Sequence, residues 1–503
     1  MIIILRSVVY AVILLVSSVY SLTAKADVGP PYPSNGASVF VPFVNATNVS
    51  DPSKYVSPKI RVGFNSPNAT DTNPVFNVTM DTGSVGIIVG SSYFNPPANG
   101  KLDPSFIGAG SETLTSSGII FSGDWYKTIV NLYNGNTVST VPVMAVTMVS
   151  CEPNARACNP KTINSTAADT HYFGIGFAGG PGQPQGTPDK NAFLNVTSIS
   201  GSASLPSPGY ILSTQGMQQG VQIGLTSSNT QGFAMIKLEP LLAPNSTQWQ
   251  TAPASANVRT DWQHARGAIT VNGRSGSGSI LFDTGVTTGF LTPPIGVTPQ
   301  IGNGPSGAEC NGSTPPSCAV SGTSVQVSFS NRTIPVASLN YIVGANNGSQ
   351  SENPVSPFAV SVELNGAPFL NTTVRFLQAF NYIYDAANGF IGLKTTGNTP
   401  AQYATSTPSG LAVEGVFRCI FRWWAEANFE SPLATILPSR KYMWPYTYLY
   451  YPNNQTYIGI SSGSPASGNT PATDANHVYI LGADGQSTNQ GALSGWLSAA
   501  ACQ

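Results

Sequence analysis

Val75-Phe-Asn-Val-Thr-Met-Asp81-Thr82-Gly83-Ser84-Val-Gly-Ile-Ile-Val89 returns about two hundred residues later as Gly278-Ser-Ile-Leu-Phe-Asp283-Thr284-Gly285-Val286-Thr-Thr-Gly-Phe-Leu291. Each copy is an apolar strand running into Asp-Thr-Gly, followed by a turn into more apolar residues. Elsewhere Asp-Thr stands at Asp71-Thr72 and Asp169-Thr170 with no Gly behind it. A chance Asp-Thr-Gly in such a composition is expected on the order of 0.1 times, so two copies with matched flanks are a repeat. A short acid at a strand end, then Thr, then a Gly permissive of tight backbone geometry, lets two loops approach each other across a pseudo-two-fold axis. Two carboxylates at close range cannot both ionise comfortably and therefore share one proton. Such a pair supplies a general base for water and a general acid for a leaving amine, and it requires neither a metal nor a cofactor.

With Ile60-Arg-Val-Gly63 before the first motif and Tyr172-Phe173-Gly174-Ile175-Gly176-Phe177 after it, the chain resembles the pepsin-like aspartic peptidases over roughly residues 56–396. In the second half Trp262-Gln263, Ile269-Thr-Val-Asn-Gly273 and Phe376-Leu377 extend the resemblance. Tyr382-Ile-Tyr-Asp385-Ala-Ala-Asn-Gly-Phe-Ile-Gly392-Leu393 closes it. The resemblance implies a mostly β, bilobal acid-protease fold, with residues 56–250 and 251–396 as its two lobes. Asp81 and Asp283 would be the catalytic pair, acting on a peptide or protein substrate with apolar side chains either side of the bond. Thr82 and Thr284 would lock the two loops to backbone groups, Gly83 and Gly285 would present N–H groups near the carboxylates, and Ser84 would bond the outer oxygen of Asp81.

Three positions depart from that pattern. Val286 stands where a hydroxyl matching Ser84 is usual, which is expected to raise the pair's apparent pKa. The hairpin near Glu112 to Lys127 has Leu114, Thr115 and Ser116 where a tyrosine over the cleft is usual, and Trp125 and Tyr126 are the aromatic candidates for its role. The apolar-apolar-Gly segment of the second half reads as Thr372-Thr373-Val374, predicting local repacking. The rival reading is a catalytically inactive two-lobed scaffold serving as a binding or cell-surface protein.

Composition narrows the setting. Among 503 residues there are 21 Lys+Arg, 22 Asp+Glu, 51 Gly and 40 Pro, and only 9% are charged, so no basic run offers a footprint for nucleic acid. Apolar residues make up 41%, enough to bury large cores, and short alternating runs punctuated by Gly and Pro read as mostly β. Residues 1–26, with one cation at Arg6, an apolar run from Ser7 to Leu22 and Ala24-Lys25-Ala26, read as a cleaved signal peptide. An uncleaved anchor is the competing reading, against which stands a run shorter than the roughly 20 residues a bilayer needs. The mature chain is then expected to be secreted or periplasmic, without a membrane span, and monomeric. Six cysteines fall into three neighbourhoods, predicting Cys151–Cys158, Cys310–Cys318 and Cys419–Cys502. A metal site is disfavoured, since His171, His264 and His477 lie near none of them.

Residues 27–55 form an N-terminal arm whose only Lys is Lys54 and which has no Arg, so no basic inhibitory segment is visible. Asn45, Asn68, Asn77, Asn164, Asn195, Asn245, Asn331 and Asn371 head Asn-X-Ser/Thr sequons, with a glycan at Asn77 expected to be awkward so near the site. Residues 397–411 read as a linker and 412–503 as a small Tyr-rich β module. Its tyrosines are either packing partners or a stacking platform for a cell-wall or surface ligand. Gly459-Ile-Ser461-Ser-Gly463 matches a nucleophile-elbow pattern in form only, since it falls in a Ser/Gly-rich hairpin.

Overall fold

The structure, a computed structural model, describes most of residues 30–406, apart chiefly from 66–73, 134–136, 159–166, 242–259, 311–315 and 345–352, and five strands between 439 and 492. The signal segment, the Cys419–Cys502 pair and Asn68, Asn164 and Asn245 lie outside the described residues. The chain is mostly β, as its composition predicts, and the described residues form four sheets of six, ten, eight and five strands.

The eight-stranded sheet holds the first motif and the ten-stranded sheet the second. In Phe76–Asp81 alternation sends Val78 and Met80 inward, whereas Val85–Val89 is buried throughout, as expected of a strand flanked on both sides. Between them runs His171–Ile175, parallel to the first and antiparallel to the second. The second motif repeats this arrangement: Phe369–Asn371 lies parallel to Arg274–Leu281 and antiparallel to Thr288–Thr292. The two Asp-Thr-Gly turns are thus built on equivalent three-strand frames.

The six-stranded sheet draws on both halves of the chain, in the order Val39–Pro42, Gly220–Ile223, Gly209–Ser213, Phe380–Asp385, Phe390–Thr395, Ala234–Lys237. The N-terminal arm is therefore part of a sheet. Farther along the arm, Arg375 from the second half is buried and donates from Nη1 to Lys54 O at 2.6 Å and from Nη2 to Pro52 O at 2.9 Å. Its guanidinium also lies 4.8 Å from the Tyr55 ring centroid, and Gln378 Nε2 donates to Val49 O. Arg375→Ala would strand two carbonyls and a packed ring, so we expect a loss of about 2–3 kcal/mol. Faster trypsin cleavage after the exposed Lys54 would report release of the arm; unchanged protection would mean that the sheet alone holds it.

Cys151–Cys158 and Cys310–Cys318 are bonded, as their spacing predicts. Ala404–Ser406, within the stretch read as linker, adds an edge strand to the ten-stranded sheet. The C-terminal sheet is an antiparallel meander of Ser439–Met443, Tyr446–Tyr451, Thr456–Ser461, His477–Leu481 and Ser487–Ala492. Gly459 and Ser461 both lie in its third strand. No helix among the described residues is long and apolar enough to cross a membrane.

Candidate active site

Each aspartate ends an apolar run, and the Thr behind it ties its loop to the other. Thr82 N donates to Thr284 Oγ1 at 3.0 Å and Thr284 N to Thr82 Oγ1 at 2.9 Å. Each hydroxyl then donates onward across the pseudo-axis, Thr82 to Phe282 O at 2.6 Å and Thr284 to Met80 O at 2.9 Å. A threonine hydroxyl can accept one bond while donating another, which is what this reciprocal lock requires. Both threonines are buried, so losing either hydroxyl strands N–H and C=O groups in both halves.

The glycines set how closely the carboxyls approach. A methyl on Gly83 would overlap the carboxyl of Asp283, and one on Gly285 the carboxyl of Asp81. Each aspartate thus packs on the other's glycine. Gly83 N donates to Asp81 Oδ1 and Gly285 N to Asp283 Oδ1, both at 2.7 Å. Asp81 and Asp283 are 7% and 4% exposed, so the pair lies almost wholly out of water.

The outer oxygens are held by different residues. Ser84 Oγ donates to Asp81 Oδ2 at 2.6 Å. On the other side, where Val286 has no hydroxyl, Asn371 Nδ2 donates to Asp283 Oδ2 at 2.6 Å. The bond expected to be lost at Val286 is therefore supplied from another strand, and the sequence reading missed the residue that supplies it. By strand register, Asn371-Thr372-Thr373 occupies the place that Tyr172-Phe173-Gly174 fills in the first half. Thr373 consequently stands where the first half has Gly174, and takes φ +61°, costly for a β-branched residue. Two bonds hold it there: Thr373 N donates to Asn371 Oδ1 at 2.9 Å, and Arg375 N to Thr373 Oγ1 at 3.2 Å.

These contacts also sort the sequons. Asn371 and Asn195 are buried with their amides already donating, Asn195 to Pro188 O and Asn191 O, so neither presents a free amide for a glycan. Asn77 is exposed on its strand, contrary to the awkwardness expected there.

Burial raises the pKa of Asp283 well above the ordinary carboxylate range, and the charge of Asp81 beside it pushes the same way. The hydrogen bonds from Asn371 and Gly285 oppose the shift without cancelling it.

The hairpin of Phe106–Leu114 and Ile119–Leu132 is braced along its length by Thr137–Cys151. At its tip Glu152 N donates to Gly118 O, next to the Cys151–Cys158 bridge. Its two aromatic candidates pack within the first half. Tyr126 joins the core beside Phe106, and Trp125 packs with Ile88, Phe121, Met144, Val146 and Val149. The Trp125 indole also reaches Gly86 of the first motif, and the Lys190 ammonium lies 5.3 Å from its centroid. Glu112 pairs with Phe121 across the hairpin and is fully buried. Among the described residues no group of three or more metal-ligating side chains comes together.

Comparison with models of known protein families finds none that matches the chain, and comparison with curated proteins finds no similar sequence.

Proposed function

We propose that the chain is an exported aspartic endopeptidase of pepsin-like, two-lobed architecture, hydrolysing peptide bonds with water activated between Asp81 and Asp283. The reading rests on one observation above the others: two Asp-Thr-Gly loops interlocked by Thr82 and Thr284, each aspartate seated on the other's glycine. In this mechanism Asp81 takes a proton from water as its oxygen bonds to the peptide carbonyl carbon. Asp283, which burial and its neighbour bias toward the protonated form, donates to the carbonyl oxygen. Collapse of the tetrahedral intermediate breaks the C–N bond: the proton taken from water passes from Asp81 to the departing amine, and a hydroxyl proton of the diol returns to Asp283 as the new carboxyl forms. Export is the compartment in which the two disulfides would persist.

The test is cleavage of an unfolded protein between about pH 3 and 7, with and without a statine-type inhibitor that mimics the tetrahedral intermediate. Cleavage that the inhibitor suppresses is the expected result. A well-folded chain that cleaves nothing anywhere in that range would overturn the reading in favour of a two-lobed binding scaffold.

A further inference from the structure

Asn371 differs from the serine it stands in for in a way that bears on where the proton of the pair resides. A hydroxyl can donate or accept, so Ser84 is compatible with either a charged or a protonated outer oxygen on Asp81. An amide has a donating end and an accepting end, and its orientation here is fixed by its neighbours. Thr373 N–H can only donate, so the atom it meets at 2.9 Å must be Asn371 Oδ1. The other end, facing Asp283 Oδ2 at 2.6 Å, is then the NH2 group, which cannot accept. Asp283 Oδ2 therefore receives a donor in every state of the pair, and a proton on it cannot be directed at Asn371.

We propose that Asn371 is a positioning residue of the pair: it fixes the Asp283 carboxyl and, because its NH2 can only donate, favours the ionised form of the outer oxygen where a hydroxyl would serve either form. The inference rests on the peptidase reading for its catalytic consequence and on the hydrogen bonds alone for the hold of Asn371 on the Asp283 carboxyl. Asp81, from the first half, is the titratable group acting on Asp283. Tyr210 of the six-stranded sheet, whose hydroxyl donates to Ile175 O, feels the charge of Asp81, and the strand that carries Asn371 presents an uncharged amide. The arrangement suits the chemistry, since a carboxyl held by a fixed donor keeps its position as the pair changes protonation. It also accounts for the strained Thr373, whose backbone N–H is what orients the amide.

Asn371→Ala removes a bond that favours the ionised form of Asp283, so the pair should give up its shared proton at higher pH. We expect the alkaline limb of kcat to move up by about one pH unit and kcat to fall about tenfold, with KM little changed. Adding Val286→Ser should recover most of both effects by restoring a hydroxyl after the second Asp-Thr-Gly. The readout independent of catalysis is the unfolding midpoint followed against pH. Asn371→Ala should displace its pH dependence in the wild-type background and leave it undisplaced in an Asp283→Asn background. A fall in the midpoint at every pH, with the alkaline limb and the pH dependence unmoved, would make Asn371 a structural residue and overturn the proposal. If the wild-type chain cleaves nothing, the peptidase reading fails, while the unfolding measurement still decides whether Asn371 governs the proton of Asp283.

Discussion

Asp81→Asn and Asp283→Asn are both expected to lose cleavage by about 10⁴-fold, yet to differ in stability, with Asp283→Asn the weaker by about 1–2 kcal/mol. The activity loss follows from the mechanism, because neither amide can take up or give back a proton. The stability difference follows from the asymmetry of the outer oxygens. An asparagine at 81 can turn its oxygen to Gly83 N–H and its NH2 to Ser84, whose hydroxyl reverses to accept. At 283 the same amide meets a donor on either side, Gly285 N–H or the Asn371 NH2, so one donor is left facing another. Asn371 cannot turn over to relieve the conflict without breaking its bond from Thr373 N. Cleavage rates and thermal unfolding of the two variants at about pH 5 are the measurement. Equal midpoints would mean that Asn371 is free to reorient, and full activity in either variant would remove the pair from the mechanism.

The same asymmetry shows what could be read in the chain before its structure. Asp81, Thr82, Asp283 and Thr284 are legible because one motif occurs twice with matched flanks, and a short repeat carries its chemistry in contiguous residues. Asn371 is not legible. It stands 88 residues from Asp283, in a chain where Asn, Ser and Thr are common enough to form many sequons, and only strand pairing brings it to the carboxyl. One signal did exist: Val286 lacks a hydroxyl and Thr373 stands where the repeat has glycine, two departures that are two sides of one rearrangement. Arg375 is hidden for a similar reason, since a cation that binds carbonyl groups of residues 52–54 leaves no pattern in side-chain spacing. The two short-range disulfides were readable because small sequence separation restricts the partners.

Glu112→Gln is expected to stabilise the protein at pH 8 by roughly 4–5 kcal/mol while changing little near pH 4.5. Glu112 lies in the hairpin beside the first motif with both carboxyl oxygens lacking a hydrogen-bond partner among the described residues. Burial pushes its pKa from 4.5 up to about 8, against a smaller opposing pull from the charge of Lys190. For an acid whose folded pKa is raised, the unfolded chain ionises first, so the folded state loses ground as pH rises from about 4.5 to about 8 and levels off above. Asp261 acts in the same direction, its carboxyl raised by burial to about 6, and so does Asp283. His264 opposes them: burial lowers its pKa from 6.5 to about 4, so its contribution is full above 6.5 and lost as pH falls toward 4. The Glu112 displacement is the larger of the two, and two further acids add to it, so the wild-type unfolding midpoint should fall between about pH 5 and 8. In the glutamine variant most of that slope should disappear, because an amide carries no charge at either end of the range. A wild-type midpoint that climbs toward pH 8, or a variant that follows the wild-type slope, would mean that Glu112 finds a partner or water beneath the hairpin. The expected result would instead place the stability of the hairpin, and of the first aspartate's surroundings with it, on the acid side of neutrality, where a pair that must hold one proton also works best.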